Sequence, residues 1–115
     1  MKKEIAEKWI AALESGEYEQ GQGSLRKDGK FCCLGVLCEV AIQEGVEVTV
    51  THNSEIDKYY YEGNGAVLPE TVLDWADMYS VWGRFGDGDD LADLNDAGVS
   101  FADIANVIRE NVEKL

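Results

Sequence analysis

From Cys32 to Glu44 the apolar residues are almost continuous. At helical spacing Leu34, Leu37, Cys38 and Ala41 fall on one face, and Cys33, Val36 and Val40 on another. A helix that is apolar on both faces is a buried one. The chain has 115 residues, the usual size of one domain. With 45% hydrophobic residues it can cover such a helix with a packed core, which argues against disorder. One proline, no low-complexity tract and no internal repeat leave no place for a linker, so residues 1–115 read as a single domain.

The flanking segments supply the cover. Ile5, Trp9 and Leu13 recur every four residues, predicting an amphipathic helix over about Lys3 to Ser15, with Gly16 as its C-terminal cap. Asp28-Gly29 is a turn signal, and a short hairpin is expected between Gln20 and Phe31. Gly45 ends the buried helix. Val46, Val48 and Val50 alternate with polar residues and predict a strand; Tyr59-Tyr60-Tyr61 predicts a second. Pro69 opens a helix carrying Val72, Trp75, Ala76 and Tyr79. Ser80 to Gly88 reads as a loop that presents Trp82 and Phe85. Leu91 and Leu94 mark a short helix, and Ser100 with Asp103 caps a last one through Val112. The fold class is α+β: one compact domain of about five helices with a small antiparallel sheet or hairpins. By spacing, Trp9, Trp75 and Tyr79 belong to the core.

Charge is divided unevenly. Residues 1–38 hold six basic and six acidic side chains, whereas residues 39–115 hold four basic and seventeen acidic, so the whole net charge of −13 lies there. Such a field repels phosphate backbones, and direct nucleic-acid binding is not expected. It also suits an acidic protein that engages a basic partner by charge mimicry. No apolar run suits a membrane span and none follows Met1-Lys2-Lys3 as in a signal peptide, so a cytoplasmic location with reduced cysteines is expected.

Gln20-Gly21-Gln22-Gly23-Ser24, followed by Arg26, Lys27 and Lys30, is the clearest candidate for binding. Glycines let a backbone present bare N–H groups, and clustered cations beside them suit a phosphate, carboxylate or nucleotide. The spacing is neither a dinucleotide fingerprint nor a phosphate loop ending in Gly-Lys-Ser/Thr. A tight turn with solvated lysines is the plainer reading. Cys32 and Cys33 open the buried helix, where the dipole favours a thiolate. Only His52 is available as a base, and Cys33 and Cys38 also read as small core side chains. Neither the cysteines nor the acidic run Asp87 to Asp93 has metal-ligand spacing, and nothing asks for a cofactor or a catalytic set. Asn95-Asp96 either ties a turn or faces a pocket. The resulting ligand set is Tyr18, Gln20, Gly21, Gly23, Ser24, Arg26, Lys27, Asn95 and Asp96.

The run W-I-x-x-L-x-S-G-x-Y-x-Q-G-x-G-x-L…G-x-F-C-C-L-G-V-L-C, here Trp9 to Cys38, is similar to uncharacterised small proteins of tailed bacteriophages. Leu68-Pro69 with Trp75, the Leu-Asn-Asp segment at 94–96 and the helix beginning Ser100-Phe101 extend the likeness over most of the chain. The pattern also loosely resembles bacterial domains of unknown function that combine a Gln-Gly loop, a Cys-x-x-Gly helix start and a later Asn-Asp. What the resemblance implies is a phage accessory protein acting in the host cytoplasm against host defence. Its partners would be a small nucleotide-type ligand held without cleavage by a homo-oligomer, or else a host defence protein. An enzyme degrading a nucleotide signal is the third expectation.

Overall fold

A computed structural model describes residues 1–115. Five helices surround a core into which the second is sunk: α1 (Lys3–Glu14), α2 (Cys33–Gln43), α3 (Glu70–Ala76), α4 (Leu91–Asp96) and α5 (Phe101–Asn111). Two short strand pairs join into one antiparallel sheet, β1 (Arg26–Lys27), β2 (Lys30–Phe31), β3 (Val50–Asn53) and β4 (Lys58–Tyr61), in the order β2-β1-β4-β3. A second hairpin pairs β5 (Arg84–Gly86) with β6 (Asp89–Asp90). The radius of gyration is 12.8 Å, against roughly 13 Å expected for one domain of this length.

The buried helix is the one the sequence points to. Cys33, Leu34, Val36, Leu37, Cys38 and Ala41 have no exposed surface. Around them lie Trp9 of α1, Leu25, Tyr61 of β4, Leu68, Leu91 of α4, and Ile104 and Ile108 of α5. The spacing Ile5, Trp9, Leu13 lays α1 against both α2 and α5.

Three sequence expectations are corrected. The strand foreseen over Val46–Thr51 begins only at Val50. Gly45 takes a left-handed conformation (φ 91°), its N–H donates to the Ile42 carbonyl, and the Val46 N–H donates to that of Ala41. That pair of bonds is a Schellman terminator, so Val46 serves the end of α2 rather than a ladder. The loop foreseen over Ser80–Gly88 contains β5 and turns through Asp87-Gly88 into β6. Tyr79 is 77% exposed rather than core. Asp77 adopts φ 56° and stops α3, so the periodicity running from Val72 does not reach Tyr79.

No helix of the structure is long and apolar enough to cross a membrane.

Candidate functional site

Several of the expected ligand residues do come together, and they hold one another. Asn95, fully buried on α4, sits at the centre. Its Oδ1 accepts from Gln20 Nε2 at 3.0 Å and from the Cys33 N–H at 3.1 Å, while its Nδ2 donates to the Gly21 carbonyl at 2.7 Å. Gln20 Nε2 also donates to the Val99 carbonyl at 2.7 Å, and Gln20 Oε1 accepts from the Phe101 N–H at 3.2 Å. The Gly23 N–H donates to Asp96 Oδ1 at 2.8 Å, and the Gly21 N–H to the Phe31 carbonyl at 2.8 Å. One side-chain pair thus ties the loop to the ends of α2, α4 and α5, supplying partners that helix termini lack. The amides of Gly21 and Gly23, expected to face a ligand, are both engaged within the protein, that of Gly23 at an exposed position.

The Cys-Cys-Leu-Gly segment is explained by the same joint. Cys32 caps α2: its thiol accepts from the Gly35 N–H at 3.4 Å, and its own N–H donates to the Leu25 carbonyl at 3.3 Å. The Cys33 carbonyl accepts from Trp9 Nε1 at 2.9 Å, fixing α1 on α2. At Gly35 a Cβ would stand 1.9 Å from the Leu25 carbonyl oxygen, so only glycine lets the chain entering β1 pass the helix there.

These cysteines are not activated. Burial pushes the Cys32 thiol up to about 11 from an ordinary 9.0, outweighing the bond from Gly35, and burial raises Cys33 and Cys38 well above their usual range. The thiolate expected from the helix dipole is overridden by desolvation. His52 lies on β3, with Nε2 2.8 Å from Asp57 Oδ1 and its ring stacked on Tyr59, away from any thiol contact. A pH prediction follows. The folded state holds the Cys32 proton more tightly than the unfolded chain. Its contribution is therefore full below pH 9 and lost as pH rises towards 11, about 3 kcal/mol for two units. Tyr61, raised by burial and by its bond to Glu39, adds in the same direction at higher pH. Urea denaturation at pH 7.5, 9 and 10.5 should show the decline, to which Cys33 and Cys38 also contribute, and Cys32→Ser, which keeps a helix cap, should make it shallower by the Cys32 share.

The remaining expected residues separate onto the two faces of the sheet. Tyr18, Phe31, Arg26, Tyr59 and His52 form a stack on one. The Arg26 guanidinium lies 3.9 Å from the Tyr59 ring centre and 5.1 Å from that of Phe31, and Tyr18 meets Phe31 edge-on at 5.1 Å. Gln43 Nε2 donates to the Tyr18 hydroxyl at 3.1 Å. Ser24 is half-buried and precedes Leu25. Lys27 points to the other face.

The cleft of largest volume lies elsewhere, between the end of α3 and the β5–β6 hairpin. It is a shallow cleft of about 910 Å³ whose lining includes Tyr79, Trp82, Phe85, Arg84, Asp87 and Lys114. The loop that carries its aromatic residues is held by hydrogen bonds. Tyr79 N–H donates to the Leu115 carbonyl at 2.9 Å, Leu91 N–H to that of Gly83 at 3.0 Å, and Trp82 N–H to Ser80 Oγ at 3.1 Å. On this firm loop Tyr79 and Trp82 stand 77% and 48% exposed. Neither Arg84 nor Lys114 has a carboxylate within 4 Å. Exposed aromatic rings beside unpaired cations are the elements of a site for a flat, anionic ligand. No histidine or cysteine lines it. Trp82 and Phe85 are conspicuous in the sequence, whereas Arg84 and Lys114 are brought together only by the fold.

These features define a small single α+β domain: a clamped helical core beside a cleft lined by aromatic and cationic side chains. By sequence the chain belongs to the family described as a domain of unknown function, DUF8296, whose model matches residues 1–112. No curated protein matches the chain, and no solved structure does.

Proposed function

We propose that this protein binds a nucleotide-derived, phosphate-bearing signalling molecule in the Tyr79–Lys114 cleft and holds it without cleaving it. The observation that carries the reading is the pairing of Tyr79 and Trp82, exposed on a backbone-anchored loop, with Arg84 and Lys114, both without a counter-ion. A base stacks on the rings and a phosphate meets the cations. The raised thiols and the distant histidine supply no nucleophile with its base, which favours sequestration over hydrolysis. The likeness of the Trp9–Cys38 run to small phage proteins supports a role against host defence, in the host cytoplasm.

Titration of the purified protein with cyclic dinucleotides and ADP-ribose derivatives, followed by tryptophan fluorescence, tests this. Binding is expected, with the ligand recovered intact on denaturation. Trp82→Ala should remove about 1–3 kcal/mol of affinity and Arg84→Glu a comparable amount. Affinity unchanged in both variants would sink the reading. Native mass spectrometry would report the oligomeric state and any retained ligand together. The acid excess of residues 39–115 favours a second reading, inhibition of a basic host protein by charge. That binding would fall steeply with salt and be indifferent to Trp82→Ala.

A further inference from the structure

Lys27 is not used by the clamp, the aromatic stack or the cleft. In the sheet it stands directly opposite Lys30 of β2 on one side and Lys58 of β4 on the other. Residues paired across strands share a face, so three lysines form one row over three adjacent strands. Neighbouring strands are about 4.8 Å apart, so the row spans roughly 10 Å. Like charges placed directly opposite destabilise a sheet, and here the arrangement occurs twice in a protein of net charge −13.

The row is also seated. A Cβ at Gly21 would stand 2.8 Å from Lys30 Cβ, and one at Gly65 would stand 2.7 Å from Lys58 Cε. Two glycines thus make room for two of the stems, and Lys58 is half-buried with its Nζ 5.3 Å from the centre of the Tyr60 ring. The only carboxylate within 4 Å of any of the three is Glu19, 3.9 Å from Lys30. Asp28, in the turn between β1 and β2, is a neighbouring acid, and Asp57 is paired with His52.

We infer that this row is a second anion site, separate from the cleft, that takes a short run of adjacent phosphate groups. One phosphate engages one or two ammonium groups; a run laid across the strands engages all three. A longer polyanion running past the row would come within a Debye length, about 8 Å, of the acidic remainder of the molecule and be repelled, so the matching ligand is compact.

The probe is inorganic tripolyphosphate, measured by calorimetry against orthophosphate at equal ionic strength. The expected result is preference for tripolyphosphate, reduced about fivefold by Lys27→Gln and about 25-fold by Lys27→Gln with Lys58→Gln. Without ligand, Lys27→Gln should melt at a higher temperature than the parent, because a repulsion is relieved; a lowered melting temperature would count against the row as a site held at the expense of stability. Gly65→Ala keeps every charge but displaces the end of Lys58, a flexible group able to move without unfolding the sheet. It should still weaken tripolyphosphate binding. Affinity unchanged in the double variant overturns the proposal. So does loss of binding in Arg84→Glu with retention in the double variant, which would put the phosphates in the cleft. Tighter binding of single-stranded oligodeoxynucleotides, growing with length, would also overturn it in favour of a nucleic-acid strand.

Discussion

Gly35→Ala should destabilise the protein by about 4 kcal/mol or more, although alanine is the better helix former by about 1 kcal/mol. The sign is reversed by one contact. Gly35 lies in the first turn of α2, and its Cβ would fall 1.9 Å from the Leu25 carbonyl oxygen and 2.7 Å from the carbonyl carbon. Both are backbone atoms of a buried residue, and that oxygen already accepts from the Cys32 N–H. Neither strand nor helix can retreat without opening the joint between them. The loss would take a large fraction of a typical domain's 5–15 kcal/mol. Urea denaturation should show a much lower midpoint at an unchanged slope. Stability equal to the parent's would mean that the strand–helix crossing is looser than the geometry requires.

That crossing explains why some of the molecule was legible in its sequence and some was not. Helical periodicity is local, and it placed α1, α2 and α5 close to their observed bounds. Asp28-Gly29 was legible as a turn because both residues adopt positive φ there. The Gln-Gly, Cys-Cys-Leu-Gly and Asn-Asp segments stood out as distinctive, but their roles depend on partners 62 to 81 residues apart. No periodicity reports such a bond. A glycine loop beside cations therefore looks open to a ligand, while in the fold the Gly21 and Gly23 amides are bonded to Phe31 and Asp96. The converse holds for Lys58. It lies 31 residues after Lys27 in a tyrosine-rich strand, and only the pairing of β1 with β4 makes the two neighbours. Tyr79 was misplaced for a third reason: a helix pattern carries on through a residue, Asp77, whose left-handed backbone ends the helix.

Distinctive residues need not be ligand residues, and the division has a consequence for function. The Gln-Gly, Cys-Cys-Leu-Gly and Asn-Asp motifs build the joint at the start of α2, whereas the proposed cleft and lysine-row sites draw on Tyr79, Trp82, Arg84, Lys27 and Lys58. Under that proposal a ligand preference can change while the clamp stays fixed.

Asn95→Ala tests the clamp directly, with an expected loss of about 3–5 kcal/mol. The substitution leaves the buried Cys33 N–H and the Gly21 carbonyl without the partners they have, and it removes one of the two acceptors of Gln20 Nε2. Each unsatisfied buried group costs about 1–3 kcal/mol, and the empty volume of the amide adds to it. Gln20→Ala should cost less, because Gln20 is only half-buried and water can reach the Val99 carbonyl and Phe101 N–H it serves. The two changes together should cost less than their sum, since they share the bond from Gln20 Nε2 to Asn95 Oδ1. Denaturation midpoints of the four proteins in this cycle give the coupling. Hydrogen exchange adds a local readout: the Cys33 amide should lose protection in Asn95→Ala. If Asn95 instead faced a ligand, the pattern would invert, with stability and Cys33 protection kept and nucleotide binding lost in Asn95→Ala but not in Trp82→Ala. The buried amide, with its oxygen doubly engaged and its nitrogen on Gly21, argues for the first outcome.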